Sequence, residues 1–303
     1  MKRKTKTQAA FEKADAILTG DWHLREDNPV CRMDDFYEMQ WGKLDFISEL
    51  QKKHNCPVKH SGDLFDFWKP SPMLLSKTIE HLPDRFLTVY GNHDLPQHNL
   101  DLAYKCGIYL LEKAGKLQTF KTCHWLEEPT KPSLQGMYAE NLGLQILVWH
   151  VMTYQGKKPW PNCTDPKGAT LLRKYPQYDL ILTGHNHKPF VETYEGRLLV
   201  NPGSIFRMDA DQIDHKPRVY LWFAKTNTVK AVYLPIESGV ISRKHIESKE
   251  NRDNRINAFI TTLDQDWEAE MSFEDNIEEF RKQNKIKIPI MAIIYKSMEN
   301  ETN

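Results

Sequence analysis

The sequence predicts an α/β fold with two packed sheets and a helical segment at its C-terminal end. From Ala14 onward, short apolar runs alternate with amphipathic stretches, a pattern typical of α/β layering. Each of the first five apolar runs ends at a cluster of Asp, His, Asn or Gly residues. After the last cluster come further short β-runs separated by turn residues, which favour a second sheet packed on the first.

The predicted elements follow in chain order. The first five strands are AILT, PVKH, RFLTVY, LQILVWH and LILT, and the later ones are RLLV, RVYLWF and VKAVYLPI. Between the first two strands, apolar residues from Phe36 to Leu50 recur mostly at helical spacing, and Asp34 or Asp35 can cap the start. We therefore expect a crossover helix between these two strands.

Three segments are predicted along the chain. Residues 1–13 form a basic extension and residues 14–241 form the main domain. The stretch 242–255 is polar throughout and predicts a linker, followed by a C-terminal helical appendage that reaches residue 303. In the appendage, Ser272 can cap a second helix. Apolar residues at helical spacing predict both helices: Ile256, Phe259, Ile260, Leu263, Trp267, Ile277 and Phe280.

Charge and cysteine content narrow the class of protein. Lysine and arginine total 41 and aspartate and glutamate also total 41, so no overall field attracts nucleic acid or an anionic membrane. The five cysteines are an odd number without a CxxC pair, which predicts reduced thiols. The longest apolar stretch, IPIMAIIY, is too short to span a bilayer. We expect a soluble cytoplasmic protein in which any nucleic-acid binding depends on a local patch.

Seven side chains at the predicted strand ends are candidate metal ligands. The carboxyl ends of strands in an open α/β sheet meet at one edge, so these side chains can converge there. They are Asp21, His23, Asp63, Asn92, His150, His185 and His187. Oxygen and nitrogen donors without thiolates suit Mn, Fe, Zn or Mg rather than a soft metal.

Seven ligands exceed what one ion needs and predict two divalent ions. A pair of cations about 4 Å apart needs a bridging ligand, and the carboxylate of Asp63 can give one oxygen to each. Two cations and the carboxylates of Asp21 and Asp63 leave a net charge of about +2, which favours a phosphate ester as substrate.

The five motifs GDWH, GDLFD, GNHD, a strand-end His and GHNH resemble, in this order, those of the calcineurin-like metallophosphoesterase superfamily. The similarity extends over roughly residues 14–235. It implies a four-layer α/β/β/α sandwich of two mixed sheets and two divalent ions, with manganese favoured over iron, zinc or magnesium. One ion would be held by Asp21, His23, Asp63 and His187, and the other by Asp63, Asn92, His150 and His185.

The resemblance also implies roles for three residues that are not ligands. His93 would contact the phosphate and assist the leaving group, Asp94 would orient His93, and Asp66 would support the ligands from outside.

Within the superfamily, GDWHL, GDLFD, GNHD and NPGS look most like SbcD-type DNA-repair exonucleases, including short bacteriophage relatives. Arg25 departs from those proteins, which often have Gly at its position. The UDP-diacylglucosamine pyrophosphatases share a segment similar to GDLFDFW but typically have Arg where His93 stands. We expect a phosphodiester hydrolase acting on DNA as an exonuclease or endonuclease. The alternatives are a small-molecule or nucleotide phosphodiesterase or pyrophosphatase, and a non-catalytic scaffold.

A basic segment after His150 is a candidate substrate-binding loop. A basic loop with an aromatic residue can follow a phosphate backbone and stack a base. The residues expected to do so are Lys157, Lys158, Trp160, Arg173 and Lys174.

The appendage has the opposite charge, with eight acids and no base between Asp264 and Glu279. It is expected either to cover the core or to bind a protein partner. In SbcD-type proteins that partner is a coiled-coil ATPase, and a homodimer is a further candidate assembly.

Overall fold

Ten strands and six α-helices occur in the part of the chain that the structure describes. The computed structural model describes residues 12–120, 143–265 and 273–284, together with positions 286, 289, 290 and 292. The strands are β1 (Ala16–Thr19), β2 (Val58–His60), β3 (Phe86–Thr88), β4 (Gln118–Thr119), β5 (Ile146–Trp149), β6 (Leu180–Thr183), β7 (Phe190–Tyr194), β8 (Arg197–Asn201), β9 (Arg218–Phe223) and β10 (Thr228–Tyr233). The helices are α1 (Phe36–His54), α2 (Pro72–His81), α3 (Gly107–Lys113), α4 (Gly168–Lys174), α5 (Lys244–Gln265) and α6 (Phe273–Gln283).

The strands form two mixed sheets. The first has the order β10-β9-β1-β2-β3-β4, with β1 to β4 parallel and β9 antiparallel to both β1 and β10. The second has the order β5-β6-β8-β7, with β7 antiparallel to β8 and the other pairs parallel.

Alternate residues of the central strands face different layers. On β1, Leu18 packs in the cluster between the sheets with Val148 and Leu182, whereas Ile17 packs on the opposite face with Phe36 and other side chains of the first helical layer. On the outer face of the second sheet, a third cluster joins strand residues to α4: Leu147, Ile181, Leu171 and Leu172. This alternation confirms the predicted four-layer α/β/β/α sandwich.

The crossover helix is also confirmed. Helix α1 begins at Phe36, and the side chain of Asp35 accepts a hydrogen bond from the backbone N–H of Glu38 at 3.1 Å. The helix connects β1 to its parallel neighbour β2 and buries Phe36, Leu44 and Ile47.

The predicted division of strands between the sheets is wrong in part. The first five runs do not form one sheet, because β5 and β6 belong to the second sheet. The later strands β9 and β10 join the first sheet through pairing of β9 with β1. Strand pairing between distant parts of the chain depends on tertiary packing. The hydrophobic periodicity of a strand does not indicate which other strand it will pair with.

The chain divides into two units, Met1–Ser242 and Arg243–Asn303. The second unit contains α5 and α6, so the C-terminal helices predicted from the sequence are present. The predicted linker over 242–255 is wrong, because α5 begins at Lys244. The start of this helix is polar and largely exposed, and it therefore lacks the apolar stripe by which a helix is recognised.

Several sequence predictions fall outside the described residues. They include the basic extension up to residue 11, the cap at Ser272 and the apolar position Trp267. Within the described part of the chain, none of the helices has the length and hydrophobicity of a membrane span. Cys31, Cys56, Cys106 and Cys163 carry buried free thiols.

Candidate metal centre

The seven candidate ligands lie at the carboxyl ends of strands from both sheets. Strands β1, β2 and β3 of the first sheet precede Asp21, His23, Asp63 and Asn92, and strands β5 and β6 of the second precede His150, His185 and His187. The two sheets therefore contribute ligands from facing edges, and the site lies between them rather than at the edge of one sheet.

One cluster is formed by Asp21, His23 and His187. One ligand atom from each of these residues lies within 4.8 Å of the others. The Nε2 atoms of His23 and His187 are 3.1 Å apart. These three residues are also those that the resemblance assigns to one ion together with Asp63.

A second cluster is formed by Asp63, His150 and His185. Nε2 of His150 lies 3.2 Å from Oδ2 of Asp63. Nε2 of His150 and Nδ1 of His185 each lie 3.0 Å from Oδ1 of Asn92, which places the amide oxygen in this group.

Asp63 faces both clusters through the same oxygen. Its Oδ2 is 3.6 Å from Nε2 of His23 and 3.2 Å from Nε2 of His150. Its other oxygen, Oδ1, accepts a hydrogen bond from the backbone N–H of His93 at 2.9 Å. The geometry is that of a carboxylate placed to serve two cations.

Two buried carboxylate oxygens of the centre have no hydrogen-bond partner in the described structure, Oδ2 of Asp21 and Oδ2 of Asp63. A buried anionic oxygen without a partner is costly, and a divalent cation would compensate both. The donor set of carboxylate, amide and imidazole suits such a cation. The residues therefore fit two divalent ions.

The pKa values of the buried groups show how strongly burial and neighbouring charges act within the centre. Burial raises the pKa of Asp21 to about 6. Burial opposes ionisation of Asp63 too, but the adjacent His150 outweighs it and holds the pKa of Asp63 well below its usual value. Burial likewise disfavours a charged His150, yet Asp63 raises the pKa of His150 to about 9.

The two histidines of the GHNH motif have the protonation state that ligands need. Burial, together with neighbouring histidines, lowers the pKa of His185 to about 4 and the pKa of His187 to about 3. Both imidazoles are therefore neutral near pH 7 and can offer a lone pair to a metal.

Four of the candidate ligands have left-handed backbone conformations. The φ angles are 51° for Asp21, 47° for His23, 56° for Asp63 and 70° for His185. This region costs a non-glycine residue about 1–3 kcal/mol and is a recurring feature of functional sites. The sharp turns it produces direct successive side chains after each strand into the centre.

Gly91 of the GNHD motif permits close packing of two motif loops. A Cβ at this position would lie 2.1 Å from Oδ1 of Asp63 and 2.5 Å from its backbone nitrogen. No side chain fits there, so the glycine allows the loop after β3 to approach the loop after β2.

Asp94 does not orient His93 as predicted. Its carboxylate instead accepts four backbone N–H groups, from Asp63 at 2.8 Å, Gly91 at 3.0 Å, and Phe65 and Leu64 at 3.1 and 3.3 Å. Asp94 thus holds the loop that carries Asp63. Adjacency in sequence to His93 did not reveal this direction, because neighbouring side chains in a turn point to different partners.

His93 is oriented by Asp66 instead. Nδ1 of His93 donates to the backbone carbonyl oxygen of Asp66 at 2.7 Å, which leaves Nε2 as the other ring nitrogen. The rings of His93 and His23 are 4.7 Å apart and nearly perpendicular. The ring of His93 therefore lies beside the first cluster. Because His93 is also exposed, a substrate that enters from solvent can reach it.

The carboxylate of Asp66 faces a ligand from outside the cluster. Its Oδ1 lies 3.6 Å from Nδ1 of His23, the ring nitrogen that points away from the other ligands. The predicted supporting position of Asp66 agrees with this geometry.

The predicted substrate loop divides into two groups. Lys157, Lys158 and Trp160 are exposed in a loop whose ends are joined by a bridge between Tyr154 and Lys167. Next to the start of this loop, the side-chain amide of Asn186 in the GHNH motif donates to the backbone carbonyl of Thr153 at 2.6 Å. The loop therefore begins beside the metal centre.

Arg173 and Lys174 do not lie in the loop with the other predicted substrate-binding residues. They end helix α4, which runs back from the ligand edge, and Arg173 lies over the ring of Tyr194 at 5.4 Å. Tyr194 pairs with Arg197 at the start of β8, the strand end opposite to the ligands. Because the chain turns into α4 after the loop, the side chains of Arg173 and Lys174 are separated from Lys157, Lys158 and Trp160.

Backbone groups that orient the ligands were not found from the sequence. Nδ1 of His150 donates to the carbonyl oxygen of Ser61 at 2.8 Å, and the backbone N–H of His185 donates to Oδ1 of Asp21 at 2.8 Å. Such partners fix ring orientation. They carry no side-chain signal, so a residue pattern cannot reveal them.

Residues 16–221 match the family described as the calcineurin-like phosphoesterase superfamily domain. No curated protein matches the sequence. Similar solved structures include a novel archaeal phosphodiesterase, with 14% identity, a TM-score of 0.40 and coverage of 72% of this chain and 99% of that one. The zinc complex of Vps29 from Entamoeba histolytica has 14% identity, a TM-score of 0.33 and coverage of 72% and 97%. A protein of Thermus thermophilus has 11% identity, a TM-score of 0.40 and coverage of 73% and 99%.

Proposed function

Because the chain belongs to the calcineurin-like phosphoesterase superfamily, we propose that it is a binuclear metal-dependent phosphodiesterase that cleaves DNA, as SbcD-type exonucleases do. The observation that carries the hydrolytic part is the position of Asp63, whose Oδ2 faces both ligand clusters. The resemblance of the GDWHL, GDLFD, GNHD and NPGS segments to SbcD-type exonucleases and the basic loop beside the centre support the DNA part.

The residues of the chain have distinct roles in this proposal. When bound, two divalent ions lower the pKa of water and stabilise charge on the oxygens of a phosphate ester. Asp63 joins the two clusters, and Asp94 holds the loop that carries Asp63. The carbonyl of Asp66 fixes Nδ1–H of His93, so that Nε2–H of a protonated His93 can donate to the leaving oxygen.

Metal removal tests the hydrolytic part directly. We expect chelation to abolish turnover of a chromogenic phosphodiester and added manganese to restore it, because the clustered side chains include no activated nucleophile of their own. Elemental analysis before and after chelation should show the loss and return of two ions per chain. Turnover that persists in protein shown to be metal-free would contradict the proposal.

The DNA part is tested by neutralising the loop. We expect the double variant Lys157→Gln, Lys158→Gln to raise the KM for DNA several-fold. The slope of a plot of the logarithm of DNA affinity against the logarithm of salt concentration should become shallower by about one unit for each phosphate that the variant no longer binds. The matched control is Arg173→Gln, Lys174→Gln, which removes the same charge at the opposite edge of the sheet. A chromogenic diester should be cleaved equally by both variants.

Three results would count against DNA as the substrate. Equal effects of the two double variants would show that the loop makes no special contact. A parallel loss of DNA and chromogenic-diester cleavage in the loop variant would indicate a structural role. Efficient cleavage of cyclic nucleotides with poor cleavage of DNA at every salt concentration would favour the small-molecule phosphodiesterase, to which the zero net charge also gives support.

The C-terminal unit supports a proposal about partners. Helices α5 and α6 in residues 243–303 provide a separate helical unit that can bind an SbcC-like coiled-coil ATPase or a second copy of the chain. Light scattering of the isolated protein distinguishes a homodimer from a monomer. A chain that binds a partner but cleaves no phosphoester in the presence of manganese would favour the non-catalytic scaffold.

A further inference from the structure

Arg25 lies at the edge of the metal centre and has no role in the proposed hydrolysis. Its backbone is attached to helix α1 in two directions by the buried side-chain amide of Gln40. The backbone N–H of Arg25 donates to Oε1 of Gln40 at 3.3 Å, and Nε2 of Gln40 donates to the carbonyl of Arg25 at 2.9 Å. This paired contact fixes where the side chain of Arg25 begins.

The guanidinium of Arg25 is oriented by a forked contact with Asp27. Nε donates to Oδ1 of Asp27 at 2.9 Å and Nη2 donates to Oδ2 at 2.5 Å. Such a two-point pair determines the plane of the guanidinium as well as its position. The remaining nitrogen, Nη1, then lies 3.3 Å from Oδ2 of Asp66.

Asp66 lies between Arg25 and His23. One carboxylate oxygen faces Arg25, and the other lies 3.6 Å from Nδ1 of His23. The side chain of Asp66 is 30% exposed, so without Arg25 it could turn toward water. Groups that hold the outward nitrogen of a ligating histidine set its ring orientation and typically alter metal affinity about 10- to 100-fold.

We propose that Arg25 is a positioning residue. It holds the carboxylate of Asp66 against His23, so that Nε2 of His23 would be directed toward an ion bound in the first cluster. The inference rests on the proposed metal-dependent function. His93 is held differently, by the backbone carbonyl of Asp66. That contact does not involve the carboxylate of Asp66, and the backbone of Asp66 is itself paired with Leu24, whose carbonyl accepts from the N–H of Asp66 at 3.1 Å. Arg25 therefore acts on metal binding and has little effect on His93.

Manganese titration of metal-free protein tests this inference without depending on activity. Arg25→Gln should weaken one of the two manganese sites up to about 10-fold, the lower end of the range for groups that contact a ligand directly, and leave the other near its wild-type affinity. Arg85→Gln is the matched control, because Arg85 is an exposed arginine that contacts Asn55 on the surface near the start of β3. Its manganese affinities should equal those of the wild type.

Two further variants separate positioning from other roles. Asp27→Ala removes the exposed anchor of the guanidinium without touching the centre, and it should weaken the same site by a smaller factor. In an Asp66→Ala background, Arg25→Gln should cause no additional loss, because the residue through which it acts is gone. An undiminished effect of Arg25→Gln in that background would overturn the inference.

Kinetics at varied manganese complete the test. For Arg25→Gln, turnover at saturating manganese should return to within a few-fold of the wild type. A raised KM for substrate with unchanged manganese affinity would instead make Arg25 a phosphate-binding group and overturn the positioning role. If the wild-type chain itself fails to bind two manganese ions, the proposed function fails, whereas two tight sites in both the wild type and Arg25→Gln would refute only the inference about Arg25.

Discussion

Replacing Asp63 by asparagine is expected to remove bound manganese from both clusters and to lower turnover by more than the roughly 100-fold that loss of a supporting group would cause. The reason is that Oδ2 of Asp63 faces His23 in one cluster and His150 in the other. An amide has no negative charge and bridges two cations poorly. The oxygen that accepts the N–H of His93 can be retained by asparagine, so the loop geometry should persist.

The measurement is elemental analysis of purified protein, with circular dichroism as the check of folding. Asp179→Asn is the control, because Asp179 also accepts a backbone N–H, from Gln145 at 2.8 Å, but precedes β6 at the edge opposite to the centre. The control should retain two ions and full activity. A folded Asp63→Asn variant that still holds two manganese ions would show that Asp63 does not bridge them.

Replacing His93 by alanine is expected to keep both ions and to lower kcat for DNA by about 10²- to 10⁴-fold, the usual contribution of a general acid. His93 contacts the centre through its backbone N–H, which alanine preserves. Its ring lies 4.7 Å from that of His23, and with His23 and Asp66 it forms a third group of side chains close enough to hold an ion. Alanine at this position leaves all seven candidate ligands of the two clusters in place. A chromogenic diester with a good leaving group should lose less activity, because its leaving oxygen needs less protonation.

The comparison of the two substrates distinguishes this role from others. His81→Ala is the control, since His81 stacks on Trp41 and contacts Asp45 away from the centre. It should leave the kcat for both substrates unchanged. Loss of metal from His93→Ala equal to that from Asp63→Asn would identify His93 as a ligand. An equal drop in kcat for both substrates would argue against protonation of the leaving group.

The fold class and the convergence of the candidate ligands could be predicted from the sequence because both follow from local patterns. A buried strand followed within three residues by Gly, and then by Asp, His or Asn, is a short signal, and it recurs at β1, β2, β3 and β6. The cap of α1 at Asp35 is equally local, since the side chain contacts a backbone group only three residues away. Hydrophobic periodicity and nearness in sequence are enough to predict features that involve residues only a few positions apart.

The partition of strands between sheets and the partners of individual side chains were decided only by tertiary structure. Strand β9 pairs with β1 across the chain, and this long-range pairing leaves no trace in either strand's own alternation. Asp94 supports the loop after β2, and the backbone carbonyl of Asp66 accepts from His93. Arg173, in the last turn of α4, lies over Tyr194 at the strand ends opposite to the candidate ligands. A sequence pattern thus determined which residue types follow which strands, whereas the direction and contacts of each side chain depend on φ, ψ and packing, which only the folded chain specifies.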